Sequence, residues 1–212
     1  TGEQNVALGV GALCTNTTGC CNVAIGRLAL QANTTATNNV AIGRNALYST
    51  TTGTNNIAVG SVALNANTTG GDNVAIGKES LAINTTGYRN VGIGFGALYA
   101  NTTASNNTAV GHLSLFANTT GASNTAMGIN ALDSNTTGGD NVAVGAGALA
   151  SATTASESTA IGHRALFLQT TGCRNTAVGR DSLYNATTGF HNTAFGRNSG
   201  ADAVFNVTTE KI

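Results

Sequence analysis

Apolar and polar residues along this chain recur with one fixed period. Aligned on Asn-Val-Ala-Ile-Gly, the sequence falls into twelve copies of one unit, with a period of 17 and no insertion. They begin at Asn5, Asn22, Asn39, Asn56, Asn73, Asn90, Asn107, Asn124, Asn141, Ser158, Asn175 and Asn192. Numbering positions from these starts, position 5 is Gly in all twelve copies, from Gly9 to Gly196. Position 9 is Leu in eleven, Leu13 to Leu183, and the same eleven carry Thr-Thr at positions 13 and 14. Position 4 is always large and apolar, whereas positions 3 and 8 are always Ala, Ser or Gly. No stripe of helical period runs through the unit, while Asn-Val-Ala-Ile-Gly alternates in side-chain size as a short half-buried strand does. Gly at position 5 and Asn-Thr-Thr-Gly at positions 12 to 15 are turn residues. Each unit is therefore predicted to run strand, tight turn, short strand around Ala-Leu, second turn. Stacked, the units predict an all-β fold: a parallel β-solenoid or β-roll of twelve 17-residue coils.

Residues 1–199 are assigned to this array and 200–212 to a degenerate C-terminal cap or junction. From Gly200 onward the repeat is lost, and Ala203-Val204-Phe205 replaces the Asn-Thr-Thr stretch. Thr1-Gly2-Glu3-Gln4 matches the last four residues of a unit, so the chain is expected to start in mid-coil. Within a coil, positions 4 and 9 are expected to stack into two aliphatic ladders that form the interior, with position 2 widening it. On that reading Ile76 and Ile93 are buried, and Ala or Ser at positions 3 and 8 are small because another backbone approaches there. Two or three large apolar side chains per coil make a thin core. The second, Ala-rich face is expected to supply the missing burial against other copies of the same chain, which predicts a homo-oligomer.

Composition narrows the function. Nine Lys plus Arg balance nine Asp plus Glu, and charged residues are only 8% of the chain. So few cations neutralise few phosphates, which argues against a nucleic-acid partner. No apolar run is long enough to span a bilayer as a helix, so no membrane insertion of this segment is expected. Disordered chains are rich in charge and Pro, and this one, with no Pro, is not.

The string Asn39-Val-Ala-Ile-Gly-Arg-Asn-Ala-Leu-Tyr-Ser-Thr-Thr-Thr-Gly resembles the repeats of trimeric autotransporter adhesin heads, and of bacterial and phage tail fibres that carry such heads. The usual head repeat is shorter than the unit of this chain. The resemblance implies a left-handed parallel β-roll with three chains around one axis, hence a homotrimer. It also implies an extracellular place on a cell surface or virion fibre, and a host-surface glycan or protein receptor as partner.

Candidate chemistry is sparse, because an array repeats like residues where a catalytic centre needs unlike ones to converge. No catalytic, cofactor-binding or metal site is assigned, and no enzyme activity is expected. The histidines, His112, His163 and His191, show no metal-ligand spacing. Position 6 is basic or His in seven copies, Arg27, Arg44, Lys78, His112, His163, Arg180 and Arg197, which stack into a partial positive stripe. Such a stripe either contacts anionic sugars or, the reading favoured here, is a solvated edge that discourages lateral aggregation. Position 10 is aromatic in five copies, Tyr48, Tyr99, Phe116, Phe167 and Tyr184, suited to filling gaps between chains or to stacking on sugars. Cys14 and the Cys20-Cys21 pair lie in one coil, where a bridge within or between chains competes with the reading that these thiols and Cys173 are incidental. Asn-x-Thr occurs at Asn16, Asn33, Asn67, Asn84, Asn101, Asn106, Asn118, Asn135, Asn185 and Asn206, where turn formation and laddering are favoured over glycan attachment.

The leading expectation is a structural and adhesive repeat rod of a surface adhesin or tail fibre. The alternative is an ice-binding β-solenoid using stacked Thr columns. It is weakened because adjacent Thr residues in an extended segment point to opposite faces.

Overall fold

The computed structural model describes residues 2–201, which form a parallel β-solenoid with one short strand per 17-residue coil and no helix. It divides after Asn106 into two compact units, which carry coils 1–6 and coils 7–12. In the first unit the strands run from Val6–Leu8 (β1) to Val91–Ile93 (β6), each three residues at positions 2–4. In the second they run from Thr108–Val110 (β7) to Thr193–Phe195 (β12). Within each unit neighbouring strands pair in parallel and in register, Val6 opposite Val23 and Ala7 opposite Ala24, so each position forms its own column. Of the assigned cap, residues 202–212 lie outside the described residues.

The strand faces inward on the opposite side from the one expected. Position 3 is the core position: Ala24, Ala41, Ala58 and Ala75 are completely buried, while Ile76 at position 4 is 39% exposed and Ile93 half-buried. Position 2 is likewise half-buried or exposed throughout. The reason is the width of the coil. Ser80 at position 8 donates from Oγ to the Gly92 carbonyl at position 3 of the next coil at 2.8 Å, so the two walls nearly touch. A Cβ on Gly92 would come within 2.6 Å of that Oγ, while Ser114 and Ser182 make the same bond to the Ala126 and Ala194 carbonyls at 2.9 and 3.3 Å. A gap that narrow takes Ala, and β-branched residues turn outward.

Position 9 does point inward, and ten leucines from Leu30 to Leu183 are fully buried. The expected second strand is absent, however, because these leucines have left-handed backbones, with φ of 50° at Leu30 and 51° at Leu47. Positions 5–8 and 9–12 instead form two turns, closed by Ala29 N–H to the Gly26 carbonyl at 3.3 Å and Asn33 N–H to the Leu30 carbonyl at 3.2 Å. A left-handed residue costs roughly 1–2 kcal/mol. Burying the Leu side chain returns about 1.5–3 kcal/mol, and Leu30 N–H bonds the Ala46 carbonyl of the next coil at 3.0 Å. Burial therefore wins at every coil. Gly at position 5 answers a different need: at Gly26 φ is 133°, and a Cβ would lie 2.6 Å from the Gly43 carbonyl oxygen.

Buried amides close each coil. Asn56 (position 1) and Asn67 (position 12) both donate to the Gly70 carbonyl at position 15, at 2.9 and 3.0 Å. The Asn56 Oδ1 also accepts the Asn73 backbone N–H of the next coil at 3.1 Å, and Asn84 donates to Asn67 Oδ1 at 2.9 Å. The Thr hydroxyls of position 13 add a third column, with Thr68 donating to the Thr85 carbonyl at 3.1 Å. Breaks in the columns leave marks. Asn33 Oδ1 and Asn135 Oδ1 are buried acceptors without a protein donor, because the next coils have Thr50 and Ala152 at position 12. Coil 10, the only one with Ser at position 1, is the only one with Gln at position 12. The longer Gln169 amide bonds Ser158 Oγ at 3.1 Å and the Gly172 carbonyl at 2.9 Å, and its Oε1 accepts from Asn175 at 2.8 Å.

Candidate functional site

With positions 1, 3, 8, 9, 12 and 15 turned inward, the variable surface consists of positions 2 and 4 on the strand and 6, 7, 10 and 11 beyond the Gly turn. The seven basic or His residues at position 6 are all exposed. They do not form a bare positive stripe: Lys78 pairs with Glu79 at 3.2 Å and lies 5.5 Å over the Phe95 ring, and Arg180 pairs with Asp181 at 3.1 Å. In the first unit Arg27 and Arg44 occupy adjacent coils, and Tyr48 and Tyr99 stand three coils apart, half-buried and not joined into one site. In the second unit His112 and Phe116 share coil 7, and Arg197 is exposed on coil 12.

Coils 10 and 11 bring the expected residues together. Phe167 and Tyr184, one coil apart at position 10, stack with centroids 5.2 Å apart and planes 7° from parallel. Arg164 at position 7 bonds Asp181 at 2.8 Å and sits 5.1 Å over the Tyr184 ring. Burial works against the Asp181 carboxylate, but the Arg164 and Arg180 guanidiniums outweigh it and hold its pKa below the ordinary value. Next to this cluster lies a hollow of about 290 Å³. Its floor is coil 9, where Ala146, Gly147 and Ala150 fill positions 6, 7 and 10; its walls are Ile129, Asn130 and Asp133 of coil 8 and His163, Arg164 and Phe167 of coil 10. Burial pushes the Asp133 carboxyl above its ordinary pKa, against the opposing Ser134 hydrogen bonds. Asn130 Oδ1 is buried without a protein donor.

Several of these residues escaped the sequence reading: Asn130, Asp133, Arg164 and Asp181. The available signal was coil 9, the one copy with only Ala or Gly at positions 6, 7 and 10. The strand face was missed as well, since positions 2 and 4 were assigned to the interior.

The remaining candidates resolve simply. All four cysteines are free. No bridge joins Cys14 to the Cys20-Cys21 pair within the chain: Cys14 Sγ contacts the Gln31 carbonyl and Cys21 Sγ contacts Gln4, both one coil away. The adjacent Cys20 thiol raises the Cys21 pKa. Among the Asn-x-Thr sites, Asn33, Asn67, Asn84, Asn101, Asn118 and Asn135 are completely buried at position 12, which makes them ladder residues. Asn106 is exposed, and Asn206 lies outside the described residues. Thr at position 14 forms an exposed column beside the laddered Thr of position 13. Among the described residues no group of three or more His, Cys, Asp or Glu is arranged to hold a metal, and no helix is long and apolar enough to cross a membrane. No known protein family, curated protein or solved structure matches this chain.

Proposed function

We propose that this chain is a structural and adhesive repeat segment of a cell-surface adhesin or tail fibre, working outside the cell as a homotrimer and without catalysis. The observation that carries the reading is the outward strand face. Positions 2 and 4 line it with Val, Ile and Thr, and Ile42, Ile57 and Ile76 stay 38–39% exposed on consecutive strands of one unit. A contiguous aliphatic face of this kind marks a contact surface, and its regular spacing matches an identical column on another copy. Inside each unit, the amide and hydroxyl columns link one coil to the next, which suits a stiff segment under pulling load.

Light scattering tests the assembly: the expected mass is three times the 21.0 kDa of one chain. A mass of 21.0 kDa at micromolar concentration would overturn the trimer. Ile76→Asp should leave each coil folded and shift the mass toward the single chain. The exposed Thr column at position 14 supports ice binding as the alternative, and thermal hysteresis at millimolar protein would favour it.

A further inference from the structure

In the second unit, position 10 reads Asp133, Ala150, Phe167 and Tyr184 over coils 8 to 11. Phe167 is covered on one face by Tyr184 at 5.2 Å. On its other side, where coil 9 would supply a third ring, there are only Gly147 and Ala150, and the hollow of about 290 Å³ opens there. Coils repeat at about 4.8 Å, which is also a stacking distance between rings. A ring placed over Ala150 would therefore continue the stack, with Asp133 one further coil step beyond it.

The chemistry of the walls selects the kind of ring. Asp133, half-buried on the coil 8 wall, accepts from Ser134 Oγ through Oδ1 at 3.3 Å. The Asp133 carboxylate is an acceptor, so the complementary ligand offers donors. Its outer face is apolar, because it must meet Phe167, Ala146 and Ala150. Arg164 is turned toward Asp181 and the Tyr184 ring, and the Asp133 carboxylate stands on the opposite wall, so the hollow does not select an anion. An aromatic base offers a face but few donors, and an aliphatic chain offers none.

We propose that the hollow over coil 9 binds one neutral hexopyranose, its C–H face on Phe167 and its hydroxyls donating to Asp133. The site gives the adhesive reading a ligand class and rests on that reading for its role. Ile129 and His163, both exposed at position 6, form the outer edge of the lining.

Saturation-transfer NMR with free D-glucose, D-galactose, D-mannose and N-acetylglucosamine at millimolar concentration tests the site on the whole chain. At least one sugar should receive saturation, and strongest at its ring C–H protons. Ala150→Phe puts the chain's own ring in the slot, as coils 7 and 10 already do with Phe116 and Phe167, and should abolish the signal with an unchanged circular-dichroism spectrum. Asp133→Asn removes the charged acceptor at little steric cost and should weaken the best sugar at least about tenfold. No transfer to any of the four sugars, or equal binding by wild type and both folded variants, overturns the proposal. The oligomeric reading is scored separately. A trimeric species that ignores sugars refutes only the site, and a 21.0 kDa species that binds them refutes only the trimer.

Discussion

Gln169 offers the sharpest test of how these coils are held. Its side chain makes three hydrogen bonds in a fully buried position: to Ser158 Oγ at 3.1 Å, to the Gly172 carbonyl at 2.9 Å and from Asn175 Nδ2 at 2.8 Å. At about 1 kcal/mol net per bond these contribute roughly 3 kcal/mol. Truncation also leaves a small void, so Gln169→Ala should cost about 3–4 kcal/mol. Coils 9 and 11 show the repair. There Asn141 and Asn175 at position 1 are paired with Ala152 and Ala186 at position 12, and the Asn side chains alone bond the Ala155 and Gly189 carbonyls, at 2.7 and 2.6 Å. Adding Ser158→Asn to Gln169→Ala recreates that pair and should bring stability back to within about 1 kcal/mol of wild type. Ser158→Asn alone should destabilise, because the new amide competes with Gln169 for one space. Urea unfolding followed by circular dichroism gives the totals. Hydrogen exchange over residues 158–175 shows whether loss is confined to coil 10 and its neighbours, as expected when repeats contact only the next in line. A double variant no more stable than Gln169→Ala would refute the reasoning.

Three further outcomes follow from the same geometry. Thr50→Asn should raise stability by about 1 kcal/mol in urea unfolding, because it supplies a donor to Asn33 Oδ1 and a second donor to the Gly53 carbonyl. Ala75→Asp should destabilise by several kcal/mol through an unpaired buried charge, whereas Ile76→Asp next to it, 39% exposed, should cost about 1 kcal/mol or less in the isolated chain; equal losses in thermal melts would mean the strand faces are reversed. The Asp133 carboxyl, raised by burial, holds its proton in the native state to higher pH than in the unfolded chain. Its contribution to stability therefore falls as pH rises from the ordinary carboxyl value through the raised one, and the Asp133→Asn variant should gain on wild type over that window in urea midpoints measured across pH.

The period determines much of this molecule before any folding is considered. Gly at position 5 in all twelve copies, with Leu at position 9 and Thr-Thr at positions 13 and 14 in eleven, requires that each unit adopt one conformation and that equivalent residues stack, since a fixed period without insertion places every column in register. The inward Leu of position 9 and the amide and hydroxyl columns were legible for that reason. The strand face was not. Alternation says that positions 2 and 4 share a side and position 3 takes the other, but it is symmetric as to which side is interior. That choice was made by the opposite wall, where the left-handed leucines bring position 8 back to within hydrogen-bonding distance of position 3, as Ser80 and Gly92 show at 2.8 Å. Only Ala or Gly occupies position 3 in that gap, so the larger Val and Ile were forced out. The hollow over coil 9 has the same origin. Asp133, Ala150 and Phe167 are unrelated neighbours until stacking sets residues one period apart in sequence side by side, and the physical cause is the fixed spacing of hydrogen-bonded strands.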